Sequence, residues 1–295
     1  MLKHEYADLK DIRLHYVTAG EGKLIMFLHG FPEFWYEWKN QLAEFGRDYQ
    51  AVAPDMRGYN LSSKPADLEQ YQMRYLVEDE RLLAEHLGHR KFILTGHDWG
   101  GVVAWAFALN HPEYLEKLII INAPHPGVFG RELSTNPDQQ RASQYIIMYR
   151  SQQAEQTLTE NNYAQLSDNV LRDGLEKGYF TGEDRRAYLE AWSQPGAVTG
   201  GLNYYRAAGV GPPTGEDRQV RGRLPQELSS LTVKVPTLVI WGEQDIYLLT
   251  GNLEGLDEFV PDLTMKRIPD GSHWVIHEKP ELVNSYIREF IEGEK

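Results

Sequence analysis

The stretch Phe92-Ile-Leu-Thr-Gly-His-Asp-Trp-Gly-Gly101 decides how this chain is read. Phe92–Thr95 is an apolar, β-favouring run, the pattern of a buried strand. Val102–Leu109 is an apolar helical run that stops before His111 and Pro112. Between them lies Gly96-His97-Asp98-Trp99-Gly100, a strand-to-helix turn with a glycine at each end. Such glycines permit a turn too sharp for larger side chains, and the turn lifts its central residue to the top of a sheet. The helix N-terminus behind that residue favours negative charge. Here the central residue is Asp98, a carboxylate nucleophile at the place where an esterase or lipase carries serine. Taken alone, the segment also reads as an N-cap aspartate in a glycine-rich turn.

On either side the chain alternates buried strands with helices. Ile12–Val17 and Tyr49–Pro54 read as strands, and the turn Gly20-Glu21-Gly22 leads into the apolar strand Leu24–Leu28. Leu76–Leu87 is helical up to the stop at Gly88, and Leu118–Asn122 is a further strand. From residue 130 to 224 the pattern turns wholly helical, rich in Gln, Asn and Arg, with prolines at 195, 212 and 213. Alternation then resumes, with a strand at Thr237–Trp241, a helix at Leu253–Phe259, a strand at Thr264–Ile268 and a helix at Leu282–Ile291. Strands apolar throughout and interleaved with helices predict an α/β fold, its mostly parallel sheet covered on both faces. The expected domains are a core of residues 1–129 and 225–295 and an inserted helical cap of residues 130–224.

Composition removes several classes. The chain carries 30 Lys+Arg against 43 Asp+Glu, a formal charge of −13, and so lacks the basic balance that nucleic acid or anionic membranes attract. It has no cysteine, which removes disulfides, thiolate nucleophiles and thiolate metal sites together. Charges scattered through Met1–Val17 break the apolar core of a signal peptide, and no apolar run approaches the ~20 residues of a spanning helix. The expectation is a cytoplasmic protein, monomer or homodimer, without nucleic-acid or membrane partners.

Asp98 has partners in the right order along the chain. Asp245 follows the strand Thr237–Trp241, and His273 follows Thr264–Ile268, each in a loop at a strand's carboxyl end, where open α/β sheets bind ligands. Glu243 and Asp270 are substitutes for the acid, and His277 for the base. The turn Leu28-His29-Gly30-Phe31-Pro32 presents a backbone N–H toward the nucleophile, and with the Trp99 N–H it would form an oxyanion hole. His29 itself reads as a loop-bonding histidine, Trp38 as a packing residue and Trp35 as a pocket wall.

These pieces resemble the soluble, microbial-type epoxide hydrolases of the α/β-hydrolase superfamily, and the likeness covers nearly the whole chain. The matching segments are His29–Trp38, Asp55-Met-Arg-Gly-Tyr59, Gly96–Gly101 and the Asp245 and His273 loops. Two cap segments match as well, Gln144-Tyr145-Ile-Ile-Met-Tyr149 and Leu202-Asn-Tyr-Tyr-Arg206. The resemblance implies that Tyr145 and Tyr205, rather than Tyr204, donate hydrogen bonds to an epoxide oxygen. It further implies an ester intermediate on Asp98, cleared by water that the His273/Asp245 pair activates, with a vicinal diol as product and no metal or other cofactor. Phe31, Trp35, Trp99, Tyr149 and Trp274 would line an apolar pocket for the epoxide.

Haloalkane and haloacid dehalogenases resemble the chain too, through the same Asp nucleophile. Trp99 would suit their halide site, but Phe31 stands where many of them carry Asn, and Trp99–Val103 offers none of the arginines that clamp a carboxylate. The tyrosine pair favours epoxides. A non-catalytic ligand-binding receptor is the reading from another class, since fold alone does not fix function.

Overall fold

The computed structural model describes residues 2–213 and 231–293. Eight strands form one sheet: β1 (Lys3–Asp8), β2 (Arg13–Ala19), β3 (Leu24–Leu28), β4 (Gln50–Pro54), β5 (Phe92–His97), β6 (Leu115–Ile121), β7 (Thr237–Gly242) and β8 (Leu263–Ile268). Their spatial order is β1-β2-β4-β3-β5-β6-β7-β8. The β1/β2 and β2/β4 pairs are antiparallel, and every pair from β4 to β8 is parallel. The central strands β3, β5 and β7 are buried along their whole length, which is why they read as unbroken apolar runs. Each fully buried Leu, Ile or Val contributes about 1.5–3 kcal/mol relative to an exposed one, so these runs anchor the sheet.

Helices α1 (Lys39–Phe45), α2 (Met73–His86) and α3 (Asp98–Asn110) follow β3, β4 and β5. Helix α3 lies along β3, β5 and β6 and packs on α2. Between β6 and β7 the described chain is helical: α4 (Pro126–Thr135), α5 (Pro137–Ala142), α6 (Tyr145–Arg150), α7 (Ala154–Val170), α8 (Arg172–Lys177), α9 (Gly182–Trp192) and α10 (Ala197–Ala208). The chain closes with α11 (Val275–Glu278) and α12 (Pro280–Glu292), the latter against α1 and β7. Among the described residues no helix is long and apolar enough to cross a membrane.

The structure departs from the sequence pattern in four places. Strand β1 gave no signal, because as the outer strand it buries only Ala7 and has no apolar face to repeat. Helix α3 begins at Asp98, well before Val102, because its first turn is the glycine-rich turn itself. The helix expected at Leu253–Phe259 is two short turns of 3-10 helix, Thr250–Leu253 and Leu256–Glu258, separated by Gly255 at φ +67°. The boundary expected at 129/130 falls inside α4, and the one at 224/225 lies outside the described residues.

Hydrogen bonds tie helices between β6 and β7 to the sheet side. Trp192 Nε1 donates to the Pro32 carbonyl at 2.7 Å, Tyr188 Oη to Glu33 Oε2 at 2.6 Å, and Tyr204 Oη to the Arg57 carbonyl at 2.9 Å. Asp184 at the start of α9 accepts from Tyr36 Oη at 3.0 Å and from Lys39. These contacts hold α9 and α10 over the carboxyl ends of the strands.

Candidate active site

The turn from β5 into α3 holds Asp98 at φ +49°, a left-handed conformation that a non-glycine residue adopts only when its surroundings enforce it. The enforcement comes from close backbone packing. A Cβ on Gly96 would stand 2.4 Å from the Gly100 carbonyl oxygen, and one on Gly100 would stand 2.1 Å from that of Leu28. Only glycine fits at either position. The carboxylate is aimed outward, and its Oδ1 accepts the Phe31 N–H at 2.8 Å. Trp99, the next residue of α3, has its N–H in the first helical turn, where no intrahelical acceptor exists.

His273 Nε2 lies 3.6 Å from Asp98 Oδ2, and His273 Nδ1 lies 2.7 Å from Asp245 Oδ2. Asp245 also accepts the N–H groups of Tyr247 and Leu248, at 2.8 and 2.9 Å, and an amide N–H of Asn122 at 2.8 Å. Burial alone would raise the Asp245 pKa, but the neighbouring His273 and these donors hold the carboxyl below its ordinary value. An ionised Asp245 accepts only, so the neutral imidazole carries its hydrogen on Nδ1 and turns a bare Nε2 toward Asp98.

The substitute residues are engaged elsewhere. Glu243 pairs with Arg267, and Asp270 pairs with Lys279 at the surface. His277 is buried on α11, where its Nε2 lies 3.1 Å from Glu33 Oε1. His29 donates from Nδ1 to the Gly30 carbonyl at 2.8 Å and accepts the Met56 N–H on Nε2 at 3.0 Å, a loop-bonding role.

A cavity opens at Asp98 and His273. Phe31, Pro32, Asp98, His273 and Trp274 form its floor and side, with Tyr247 from the Asp245 loop. Tyr145 and Tyr149 on α6, Asn169 on α7 and Tyr205 on α10 cover it. The Tyr145 and Tyr205 rings meet edge to face at 6.2 Å, and Tyr149 packs on Tyr205 at 5.1 Å. Burial first, then the Asp98 charge, pushes the pKa of Tyr145 and of Tyr205 well above the ordinary value of a phenol. Both stay protonated at neutral pH.

Two expected pocket residues do not line this cavity. Trp35 turns away, edge-on to His4 at 5.1 Å and to Tyr36 at 5.3 Å, and its N–H bonds Asp55 Oδ1 at 3.1 Å. The Trp99 ring lies edge-on to Tyr205 at 5.0 Å and to Tyr204 at 5.7 Å, so it supports Tyr205 without facing the cavity. Asn169 and Tyr247 are the site residues that the sequence pattern does not single out. Tyr247 follows the acid by two residues and Asn122 stands at the end of the strand Leu118–Asn122, so both carry a positional signal; Asn169 carries none.

A left-handed carboxylate at a strand-to-helix turn, with an acid–histidine pair delivered from two later strands, defines a hydrolase site of the α/β type. Residues 23–280 match the α/β hydrolase fold family. The chain is 35% identical to epoxide hydrolase 2 of Caenorhabditis elegans, over 98% of this chain and 79% of that protein. It is 39% identical to the AB hydrolase superfamily protein YfhM of Bacillus subtilis, over 99% of both. The crystal structure of Bacillus megaterium epoxide hydrolase in complex with an inhibitor superposes with a TM-score of 0.91 at 40% identity, covering 98% of this chain and all of that one. The chain belongs to the α/β-hydrolase fold family, on the branch of the epoxide hydrolases.

Proposed function

We propose that this protein hydrolyses epoxides to vicinal diols through a covalent ester on Asp98. The observation that carries the reading is one cavity with a carboxylate on its floor and the two phenols of Tyr145 and Tyr205 in its cover. An epoxide carbon is a weak electrophile whose leaving group, an alkoxide, stays attached to the molecule. Asp98 attacks that carbon, the carbon–oxygen bond breaks, and Tyr145 and Tyr205 donate to the departing oxygen, which takes up a proton. General acid help of this kind is worth about 10²–10⁴ in rate.

In the second step His273 Nε2 takes a proton from water, and the resulting hydroxide attacks the carbonyl carbon of the Asp98 ester. The N–H groups of Phe31 and Trp99 stabilise the tetrahedral oxyanion. Collapse releases the diol and leaves one water oxygen in the Asp98 carboxylate. The two protons of the water, one carried by the His273 imidazolium that Asp245 holds and one on the new Asp98 carboxyl, go to the expelled diol oxygen and to the tyrosinate left by ring opening, which restores every group. Side chains and water suffice for both steps.

The aromatic lining, Phe31, Tyr149, Tyr247 and Trp274, favours bulky aryl or alkyl epoxides over small charged ones. A variant of the Bacillus megaterium enzyme crystallised with a naphthyloxy-propanediol as product, in line with that preference. We assign the helices between β6 and β7 to the cap that covers the substrate.

The deciding experiment assays purified protein on phenyl glycidyl ether for diol, with 1-bromobutane and fluoroacetate alongside for halide release. Diol formation abolished by Asp98→Asn and strongly reduced by Tyr205→Phe is expected. Halide release that survives Tyr205→Phe, without diol, would make the protein a dehalogenase. Substrate binding without any turnover would make it a receptor.

A further inference from the structure

Behind the triad lies a second buried pair of ionisable groups that the proposed reaction does not use. Glu37 and His97 are both wholly buried, and His97 Nδ1 stands 2.5 Å from Glu37 Oε1. The other ring nitrogen, Nε2, lies 2.9 Å from the backbone carbonyl of His273. A carbonyl only accepts, so this Nε2 carries a hydrogen. Two arrangements then remain for Nδ1. It either accepts a proton held by Glu37, or carries a second hydrogen that faces a Glu37 carboxylate.

The surroundings separate the two. The charged and titratable groups facing the pair are Glu33 and His277 from the neighbouring turn and α11, Asp98 from α3, Asp245 from the acid loop, and His273, whose ring lies 4.7 Å from that of His97. Glu33 is already engaged by His277 at 3.1 Å and by Tyr188 Oη at 2.6 Å. Among the described residues, no Lys or Arg bonds either member. Burial, then the charge of Glu33, pushes the Glu37 pKa well above the carboxylate range, and burial pushes His97 down. Both shifts favour the uncharged pair, because ionising it in place would put another carboxylate beside Glu33 and Asp98.

We propose that Glu37 is a positioning residue for hydrolysis of the ester, a carboxylic acid that donates to His97 and accepts from Gly30. Three loops converge on it. The Gly30 N–H bonds Glu37 Oε2 at 3.2 Å, one residue before the Phe31 N–H that meets Asp98. His97 directly precedes Asp98, and its ring holds the carbonyl of His273, whose own ring packs against it at 4.7 Å. Glu37 thereby fixes the oxyanion turn, the nucleophile turn and the base loop in one mutual register. This register matters most in the second step, where the base, the water, the ester carbonyl and the oxyanion donors must align at once.

This assignment rests on the ester mechanism proposed above, and its test separates the two. Magnetic resonance of isotope-labelled histidine, with the His97 signal identified by its loss in His97→Gln, reads the protonation of the ring directly. One protonated and one bare nitrogen at neutral pH is expected; two protonated nitrogens overturn the proposal. In single-turnover kinetics Glu37→Leu, which removes both bonds, is expected to slow ester hydrolysis on the order of 10–100-fold while changing Asp98 alkylation by much less. The alkyl-enzyme then accumulates and is visible by mass spectrometry. Glu37→Gln presents an N–H to His97 and a carbonyl to Gly30, and is expected to restore ester hydrolysis to within about threefold of wild type with an unchanged pH profile.

A Gln variant as slow as Leu, or a Leu variant as fast as wild type, overturns the proposal. Should Glu37→Leu fail to fold, the Gln variant and the histidine spectrum decide between them. A wild-type protein that makes no diol refutes the reaction, and the spectrum still reports the pair.

Discussion

Asn122 Nδ2 lies 2.8 Å from Asp245 Oδ2, so the residue just past β6 props the acid that follows β7. The same side chain donates to the Gly242 carbonyl at 3.2 Å and accepts the Gly242 N–H at 2.8 Å, which clamps the end of β7 where the acid loop begins. Asn122 itself is held at φ +40°, a left-handed conformation that asparagine tolerates better than most residues. The orientation of Asp245 toward His273 is therefore set by a neighbouring strand end as well as by its own loop.

Asn122→Ala should expose this dependence. It leaves the buried Gly242 N–H without its side-chain acceptor, at a cost of about 1–3 kcal/mol, and removes one of the donors to Asp245. A clearly lowered melting temperature is expected, with ester hydrolysis slowed more than Asp98 alkylation. Unchanged stability and turnover would show that the clamp is idle.

The phenols give a prediction in pH. Burial and the Asp98 charge raise the pKa of Tyr145 and of Tyr205 well above the usual value. Their useful form is the neutral one, so raised values extend it upward, and epoxide opening should persist through pH ~10, where a free phenol titrates. Tyr205→Phe and Tyr145→Phe should each slow opening by about 10²-fold or more without slowing hydrolysis of the ester. Stopped-flow kinetics on both steps checks this, and a loss of opening already at mildly alkaline pH would contradict it.

Trp35 supplies a control. Its ring packs between His4 and Tyr36 and away from the cavity. Trp35→Phe is expected to lower stability by about 1–3 kcal/mol through lost packing while KM stays within about twofold. Denaturant titration and steady-state kinetics test the two halves, and a tenfold change in KM would return Trp35 to the pocket.

Asp184 makes an acid-sensitive latch between α9 and the sheet side. Burial alone would raise its pKa, but bonds from Lys39 and Thr181 outweigh it and bring the carboxyl to about 2. The folded value lies below the unfolded value of about 3.9, so the stabilisation is complete above that pH and is lost as pH falls toward about 2. The stability difference between wild type and Asp184→Asn should then shrink across that interval when followed by urea denaturation. A difference that stays constant across it would dissociate Asp184 from the acid response.

The sequence carried the central sheet and the order of the three candidate residues because both are local. Leu24–Leu28 occupies the predicted β3 without a residue's change, and Asp98, Asp245 and His273 each follow a strand, Asp98 as the first residue of α3 and the other two in loops. Strand β1 left no trace, since an edge strand needs only a partner's backbone and imposes no apolar alternation. Gly255, at a left-handed φ, broke the helix whose apolar spacing was read across Leu253–Phe259.

What only the tertiary structure decided is which distant groups share a proton or a wall. Trp35 and Tyr247 are both aromatic residues close in sequence to site residues, yet only Tyr247 faces the cavity. Asn122, Glu37 and His97 act across separations of 123 and 60 residues, in the contacts Asn122–Asp245 and Glu37–His97. Local pattern records whether a side chain is buried. The partner it finds there depends on how separate strand ends are brought to one place, and only the packed sheet fixes that.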